Sequence, residues 1–222
     1  IAGHETTSSA LVWLLYELAR HPEAQNRLRK EIKTFRAEMG GRELASTDFD
    51  LLPYTTAVIK ETLRFYPIIT HNTRKAGRDE TIPLSNPIRT RDGKLTNEIS
   101  VRKGQMVLMP FWVYNRLKEL WGNDADKWNP ERFIGNKLSG QKHNLGVYSN
   151  LSTFGSGVHN CIGHFISIAE LYSVLTTLIE KFEVLPPPDG IEVYRASVVT
   201  MVPMIKGQEK KGVQMPLTIR PL

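Results

Sequence analysis

Phe154-Gly155-Ser156-Gly157-Val158-His159-Asn160-Cys161-Ile162-Gly163 is a glycine-rich loop that runs directly into an apolar helical pattern, and it holds the only cysteine of the 222-residue chain. Gly155, Gly157 and Gly163 remove side chains where the backbone passes close to something large and flat, and they permit left-handed turns. From about Ile162 to Phe182, Phe165, Ile168, Leu171, Leu175 and Leu178 recur at helical spacing, which predicts a helix beginning just after the cysteine. The positive end of that helix favours an anionic sulfur. A solitary cysteine is otherwise a small buried hydrophobe; this setting points instead to a thiolate ligand. Zinc would require further cysteines or clustered histidines, whereas His4, His21, His71, His143, His159 and His164 are scattered. A cysteine–histidine nucleophile built with His159 or His164 stays open, although such dyads are assembled from distant segments and the loop offers no third group to orient the ring.

The bulk composition suits a single globular unit, with 41% hydrophobic and 23% charged residues. The net charge of +6 is dilute, because 29 basic residues are interleaved with 23 acidic ones. That balance reads as a solvated surface and argues against a nucleic-acid partner, with a basic docking face for an acidic redox partner as the sharper alternative. No apolar run reaches the roughly eighteen residues needed to span a bilayer. One cysteine cannot form an intrachain disulfide.

The chain opens on Ile1-Ala2-Gly3-His4-Glu5-Thr6-Thr7, and helical periodicity is already running by Ala10, Leu11, Leu14, Leu15 and Leu18. The expectation is a helix cut open, in the C-terminal portion of a longer protein. His21-Pro22 ends that helix near Arg20, and a second runs to about Met39. Arg27, Arg29, Lys30, Lys33 and Arg36 form its solvated face, opposite Leu28, Ile32 and Phe35. A third helix is expected from about Tyr54 to Tyr66. Between Ile68 and Pro110 turn residues punctuate short strand-like runs, such as Glu98 to Val101 and Met106 to Met109. A short helix near Phe111 to Arg116 precedes a long irregular stretch, Leu117 to Thr153, and strands and loops follow Pro186-Pro187-Pro188.

The cysteine loop resembles the haem-binding signature of the cytochrome P-450 superfamily, FxxGxRxCxG. Phe154, Gly157, Cys161 and Gly163 fall on the family positions, and His159 stands where the family usually has Arg. Further motifs follow in family order. Lys60-Glu61-Thr62-Leu63-Arg64 matches the ExxR helix, where spacing alone would suggest only a surface salt bridge. Trp128-Asn129-Pro130-Glu131-Arg132-Phe133 matches the PERF element, whose arginine completes a Glu-Arg-Arg triad in the family. Ala2-Gly3-His4-Glu5-Thr6-Thr7 resembles the oxygen-activation motif (A/G)Gx(D/E)T, where a helix N-terminal capping box is the plainer reading.

The resemblance covers essentially all of residues 1–222 and corresponds to the C-terminal half of one P-450 domain: mainly α with small β-sheet regions, an α+β arrangement around a cysteine-loop haem site. It implies haem b bound through the Cys161 thiolate. Phe154, Gly155, Gly157 and Gly163 would form the loop, with Arg74 and His159 as propionate partners and Glu5 and Thr6 delivering protons to bound dioxygen. Glu61, Arg64 and Arg132 would form a structural network. Ile68 to Asn72 and Val198 to Val202 correspond to loops lining the substrate pocket. The implied reaction is monooxygenation of a small hydrophobic substrate by dioxygen, with electrons from an NADPH-dependent cytochrome reductase. The tone of the sequence is that of fungal microsomal members, held on the cytoplasmic face of the endoplasmic reticulum membrane by an N-terminal anchor that this chain lacks. A peroxide-using haem-thiolate enzyme is the rival within the class, against which Glu5-Thr6 counts. A truncated non-catalytic chain or binding module is the rival outside it.

Overall fold

The computed structural model describes residues 2–135, 145–197 and 200–222. Helix α1 (Ala2–Arg20) stops at His21, and Pro22 opens α2 (Pro22–Glu38) at a position whose N–H would have no helical partner anyway. Gly40 and Gly41, at φ +64° and +80°, take the left-handed backbone that terminates α2. Pro53 opens α3 (Pro53–Phe65) in the same way. The strands β1 (Asn72–Lys75), β2 (Glu80–Arg89), β3 (Leu95–Val101) and β4 (Met106–Met109) come next. They are followed by the short helices α4 (Phe111–Tyr114) and α5 (Lys118–Trp121), then by α6 (His164–Lys181) beyond the cysteine loop. The last strands are β5 (Phe182–Leu185), β6 (Val193–Ser197), β7 (Met201–Ile205) and β8 (Thr218–Pro221).

The chain forms two units, one running to Thr70 and resuming at Phe111, the other His71–Pro110. In the larger unit α1 packs against α2, α3 and α6. Trp13, Leu14 and Leu18 of α1 meet Leu28 and Ile32 of α2, Val58 and Leu63 of α3, and Ile168, Leu171 and Leu175 of α6 in one buried cluster. Each fully buried side chain of this size contributes about 1.5–3 kcal/mol, so the shared stripe rather than helix propensity holds these helices. Tyr66 stacks on Trp13 at 4.4 Å and donates its hydroxyl to the buried Glu17 carboxylate. Antiparallel pairs β5–β8 and β6–β7 close the unit.

Two expectations are corrected here. Arg29 is buried rather than solvated: its guanidinium donates to the carbonyls of Ile179 at 2.9 Å and Phe182 at 3.0 Å, where the end of α6 leaves carbonyls without helical partners. Phe165 is 76% exposed, because α6 starts at His164 and turns His164, Ile168, Leu171, Tyr172 and Leu175 inward instead.

The smaller unit consists of two antiparallel ribbons, β1–β4 and β2–β3, the second with an irregular register between Pro83 and Ile88. Where the chain resumes in the larger unit, the Trp112 N–H donates to the Thr70 carbonyl at 2.9 Å.

Candidate functional site

Helical spacing puts Glu61 and Arg64 on one face of α3, and packing takes that face fully out of water; both are 0% exposed. Arg64 grips Glu61 with two hydrogen bonds of 2.8 Å, from Nε to Oε2 and from Nη2 to Oε1. Its remaining donors reach the carbonyls of Asn115 (2.7 Å), Ala125 (2.8 Å) and Lys127 (3.0 Å), so one guanidinium gathers the end of α4 and two points of the irregular stretch. A lysine has neither the fork nor the donor count for this. Glu61 Oε1 also accepts from the Asn129 N–H at 2.8 Å. Arg132, in the 3-10 turn Pro130–Phe133, brings Nε to 3.4 Å from Glu61 Oε2, an ion pair without hydrogen-bond alignment. Its other nitrogens hold Asp124 Oδ1 (2.8 Å), the Asp124 carbonyl (3.1 Å) and the Trp121 carbonyl.

Asp124 is a member of this assembly that the motif does not announce. Hydrogen bonds from the Arg132 guanidinium and the Asn129 amide hold its carboxyl down to about 2, from an ordinary 3.8. A carboxylate depressed in the folded state stabilises fully above its unfolded pKa and loses that contribution as pH falls toward the folded value. The stability gap between the wild type and Asp124→Asn should therefore be constant near neutrality and close as pH falls from about 4 to about 2. Urea midpoints measured across that range check this; a gap independent of pH would show that the ion pair contributes nothing.

The cysteine loop begins where the same region ends. Gly155 and Gly157, at φ +67° and +66°, turn the backbone through conformations that side chains resist. The Cys161 N–H donates to the Phe154 carbonyl at 2.8 Å, and the Cys161 carbonyl lies 2.9 Å from Nδ1 of the buried His164. A carbonyl only accepts, so Nδ1 carries the proton. His164 thereby ties the first turn of α6 to the loop backbone. Cys161 is exposed, and so are the apolar residues near it in sequence, Val158 (94%), Ile162 (101%) and Phe165.

The other predicted residues lie as follows. Thr6 donates its hydroxyl to the Ala2 carbonyl at 2.8 Å, and the adjacent Glu5 is exposed. Thr7, one residue on, bonds Ser167 of α6 at 3.0 Å and ties α1 to the helix behind the cysteine. His159 is exposed at the end of the 3-10 turn Gly157–His159. Arg74 lies on β1 in the smaller unit and donates to the Thr73 carbonyl at 3.0 Å. Of the two pocket-loop segments, Ile68 and Met201 meet through a Met201 N–H to Ile68 carbonyl bond of 2.7 Å, while Val198 and Val199 lie outside the described residues. Asn115 was not singled out from the sequence, since one polar residue at the end of a short expected helix carries no signal of burial.

The chain belongs to the cytochrome P-450 family, whose model matches residues 1–204. It is 35% identical to cytochrome P-450 monooxygenase 205 of Postia placenta, over all of this chain and 40% of that protein. It is 41% identical to a ganoderic acid synthetase of Ganoderma lucidum, over 82% of this chain and 34% of that one. The chain thus spans about two fifths of the length of the curated relatives it matches. Among solved structures, a crystal structure of another cytochrome P-450 superposes with a TM-score of 0.74 over 98% of this chain and 42% of that one. A zebrafish cytochrome P-450 solved with progesterone gives 0.73 over 100% and 43%. Both are 24% identical, a likeness of fold.

The family implies a haem-thiolate cofactor, and the residues present fit one. An exposed thiol is a soft donor suited to iron, Val158, Ile162 and Phe165 beside it in sequence are exposed and apolar, and a Cβ added at Gly157 or Gly163 would meet nothing within 4 Å.

Proposed function

We propose that this chain serves haem-thiolate monooxygenation: one atom of dioxygen enters a small hydrophobic substrate, the other leaves as water, and NADPH supplies the electrons through a cytochrome reductase. The observation that supports this best is the exposed Cys161 thiol on a backbone pinned at both its N–H and its carbonyl, in a chain of the P-450 family. Haem, when bound, supplies the binding and reduction of dioxygen. The protein's own part is to hold and to deliver. Cys161 would hold the iron through its thiolate, with Phe154, Gly155, Gly157 and Gly163 shaping the loop that carries it, and Arg74 and His159 would pair with the propionates. The Glu61–Arg64–Arg132 assembly would keep the loop's approach fixed without touching the cofactor. On this reading the parent protein works at the cytoplasmic face of the endoplasmic reticulum, as microsomal members of the family do.

Thr6 and Glu5 would carry protons. With its own proton directed to the Ala2 carbonyl, the Thr6 oxygen turns its lone pairs outward and can accept a hydrogen bond, which orients a donor beside it. Glu5, exposed on the same turn, can exchange protons with solvent. Thr6→Ala in the haem-loaded gene product should leave reductase-supported NADPH oxidation running but divert it to hydrogen peroxide. The measurement is peroxide released per NADPH consumed, alongside uptake of isotopically labelled dioxygen into a panel of apolar compounds. Coupling equal to the wild type would remove Thr6 from the mechanism, and no label uptake by any active preparation would remove monooxygenation itself.

A further inference from the structure

Asn115 follows α4 directly, outside every motif named above, and it is 0% exposed. We propose that Asn115 is the positioning residue through which the buried Glu61–Arg64 pair fixes the cysteine loop, setting the backbone from which the Cys161 sulfur projects. The inference rests on the reading of Cys161 as the haem ligand.

A buried carboxamide must find partners for an acceptor oxygen and two amide hydrogens. Asn115 Oδ1 accepts from the Ser152 N–H at 3.0 Å and from Ser152 Oγ at 2.8 Å. A backbone N–H can only donate, so this contact fixes which way the amide faces and turns Nδ2 toward Thr153 Oγ1, at 2.9 Å. Thr153 passes its own hydroxyl proton to the Leu63 carbonyl of α3 at 2.8 Å. The main chain of Asn115 is held as firmly: its carbonyl takes Arg64 Nη1 at 2.7 Å and its N–H reaches the Phe111 carbonyl at 3.0 Å.

These bonds are consecutive. Arg64 holds Asn115, Asn115 holds Ser152 and Thr153, and the next residue, Phe154, offers the carbonyl that receives the Cys161 N–H at 2.8 Å. Leu63 and Arg64 are neighbours on α3, so the arm through Thr153 and the arm through Arg64 start from the same turn and close a ring around Asn115. Aspartate would lack the donor for Thr153, and leucine would leave the Ser152 N–H without its acceptor and take away the donor to Thr153 Oγ1, whose own proton stays on the Leu63 carbonyl. The segment has other supports that do not pass through the Asn115 side chain. Leu151 is fully buried, Ser152 Oγ also reaches the Phe111 carbonyl at 3.1 Å, and Tyr114 donates to Asn150 at 2.8 Å. Losing the carboxamide should therefore loosen the approach to the cysteine while the helical core stands.

The test compares Asn115→Leu, Asn115→Asp and Thr153→Val with the wild type in the haem-loaded gene product. It uses amide hydrogen exchange resolved by segment and the stability over time of the thiolate-type Soret band of the reduced carbon monoxide complex. Exchange within residues 152–161 should rise about tenfold in Asn115→Leu, the size expected when buried polar groups lose their partners, with α2 unchanged. The thiolate-type band should decay correspondingly faster. Thr153→Val, which cuts one arm of the ring, should show the same pattern at smaller size, and it decides the matter if Asn115→Leu does not fold. Exchange that rises equally in α2 and in 152–161, or that rises nowhere, would make Asn115 an ordinary core residue and overturn the proposal. Cys161→Ser run in parallel separates the two readings: a thiolate-type band that survives it sinks the ligand assignment, while the exchange pattern reports on Asn115 alone.

Discussion

On the proposed haem-thiolate reading, Cys161→Ser is expected to abolish the thiolate-type Soret shift of the reduced carbon monoxide complex, and all monooxygenase turnover with it, while costing the fold about 0.5 kcal/mol or less. Cys161 is exposed, so serine takes its place without opening a buried cavity. Both backbone bonds of residue 161, to Phe154 and from His164, survive the change, so the loop keeps its course. What disappears is the sulfur. A serine hydroxyl is a harder, poorer electron donor to iron than a thiolate. Absorbance of the reduced, carbon monoxide-treated protein and a thermal melt of the same sample give both halves of the result. A retained thiolate-type band, or a collapse of the fold, would each contradict the placement of this residue.

Arg64→Leu should be the most damaging single change to stability, about 3–5 kcal/mol, or a fall in melting temperature of roughly 10 °C. Removing the guanidinium leaves Glu61, fully buried, with only the unaligned Arg132 and one backbone N–H as partners, and it strips three carbonyls of their donor. Arg132→Ala should cost less, because Glu61 keeps its two-pronged grip from Arg64. The ordering is the decisive observation: if chemical denaturation finds Arg132→Ala the worse of the two, the centre of the assembly has been misplaced.

What could be read from the chain follows from which features repeat. Helices α1, α2, α3 and α6 show themselves because their apolar stripes recur, and the ion-pair residues show themselves because motifs space them. Arg29 escaped because periodicity cannot distinguish a cation at the edge of a stripe that reaches water from one that reaches the carbonyls at the end of another helix. Phe165 misled because it sits three residues before Ile168, the right interval for a stripe whose first member is in fact His164. Asp124 lies in a stretch without a period and Asn115 at the end of a helix too short to show one, and the partners of both are fixed by tertiary placement. No local signal marks such residues until α3 is in position to receive them.

The bond between Trp112 and Thr70 has a bearing on how this chain can vary. It sets the exit and return of the His71–Pro110 excursion side by side, so the ribbons between them form a cassette with adjoining ends. Lengthening such an excursion is cheap, since each doubling of a flexible loop adds only about 0.6 kcal/mol of closure entropy. The turn at Asp92-Gly93, at the far end of the β2–β3 ribbon, is accordingly a place where residues can be added, deleted or exchanged for a reporter sequence while α3 and α4 keep their registration. Natural diversification of this chain has the same freedom there, and engineering can use the same opening.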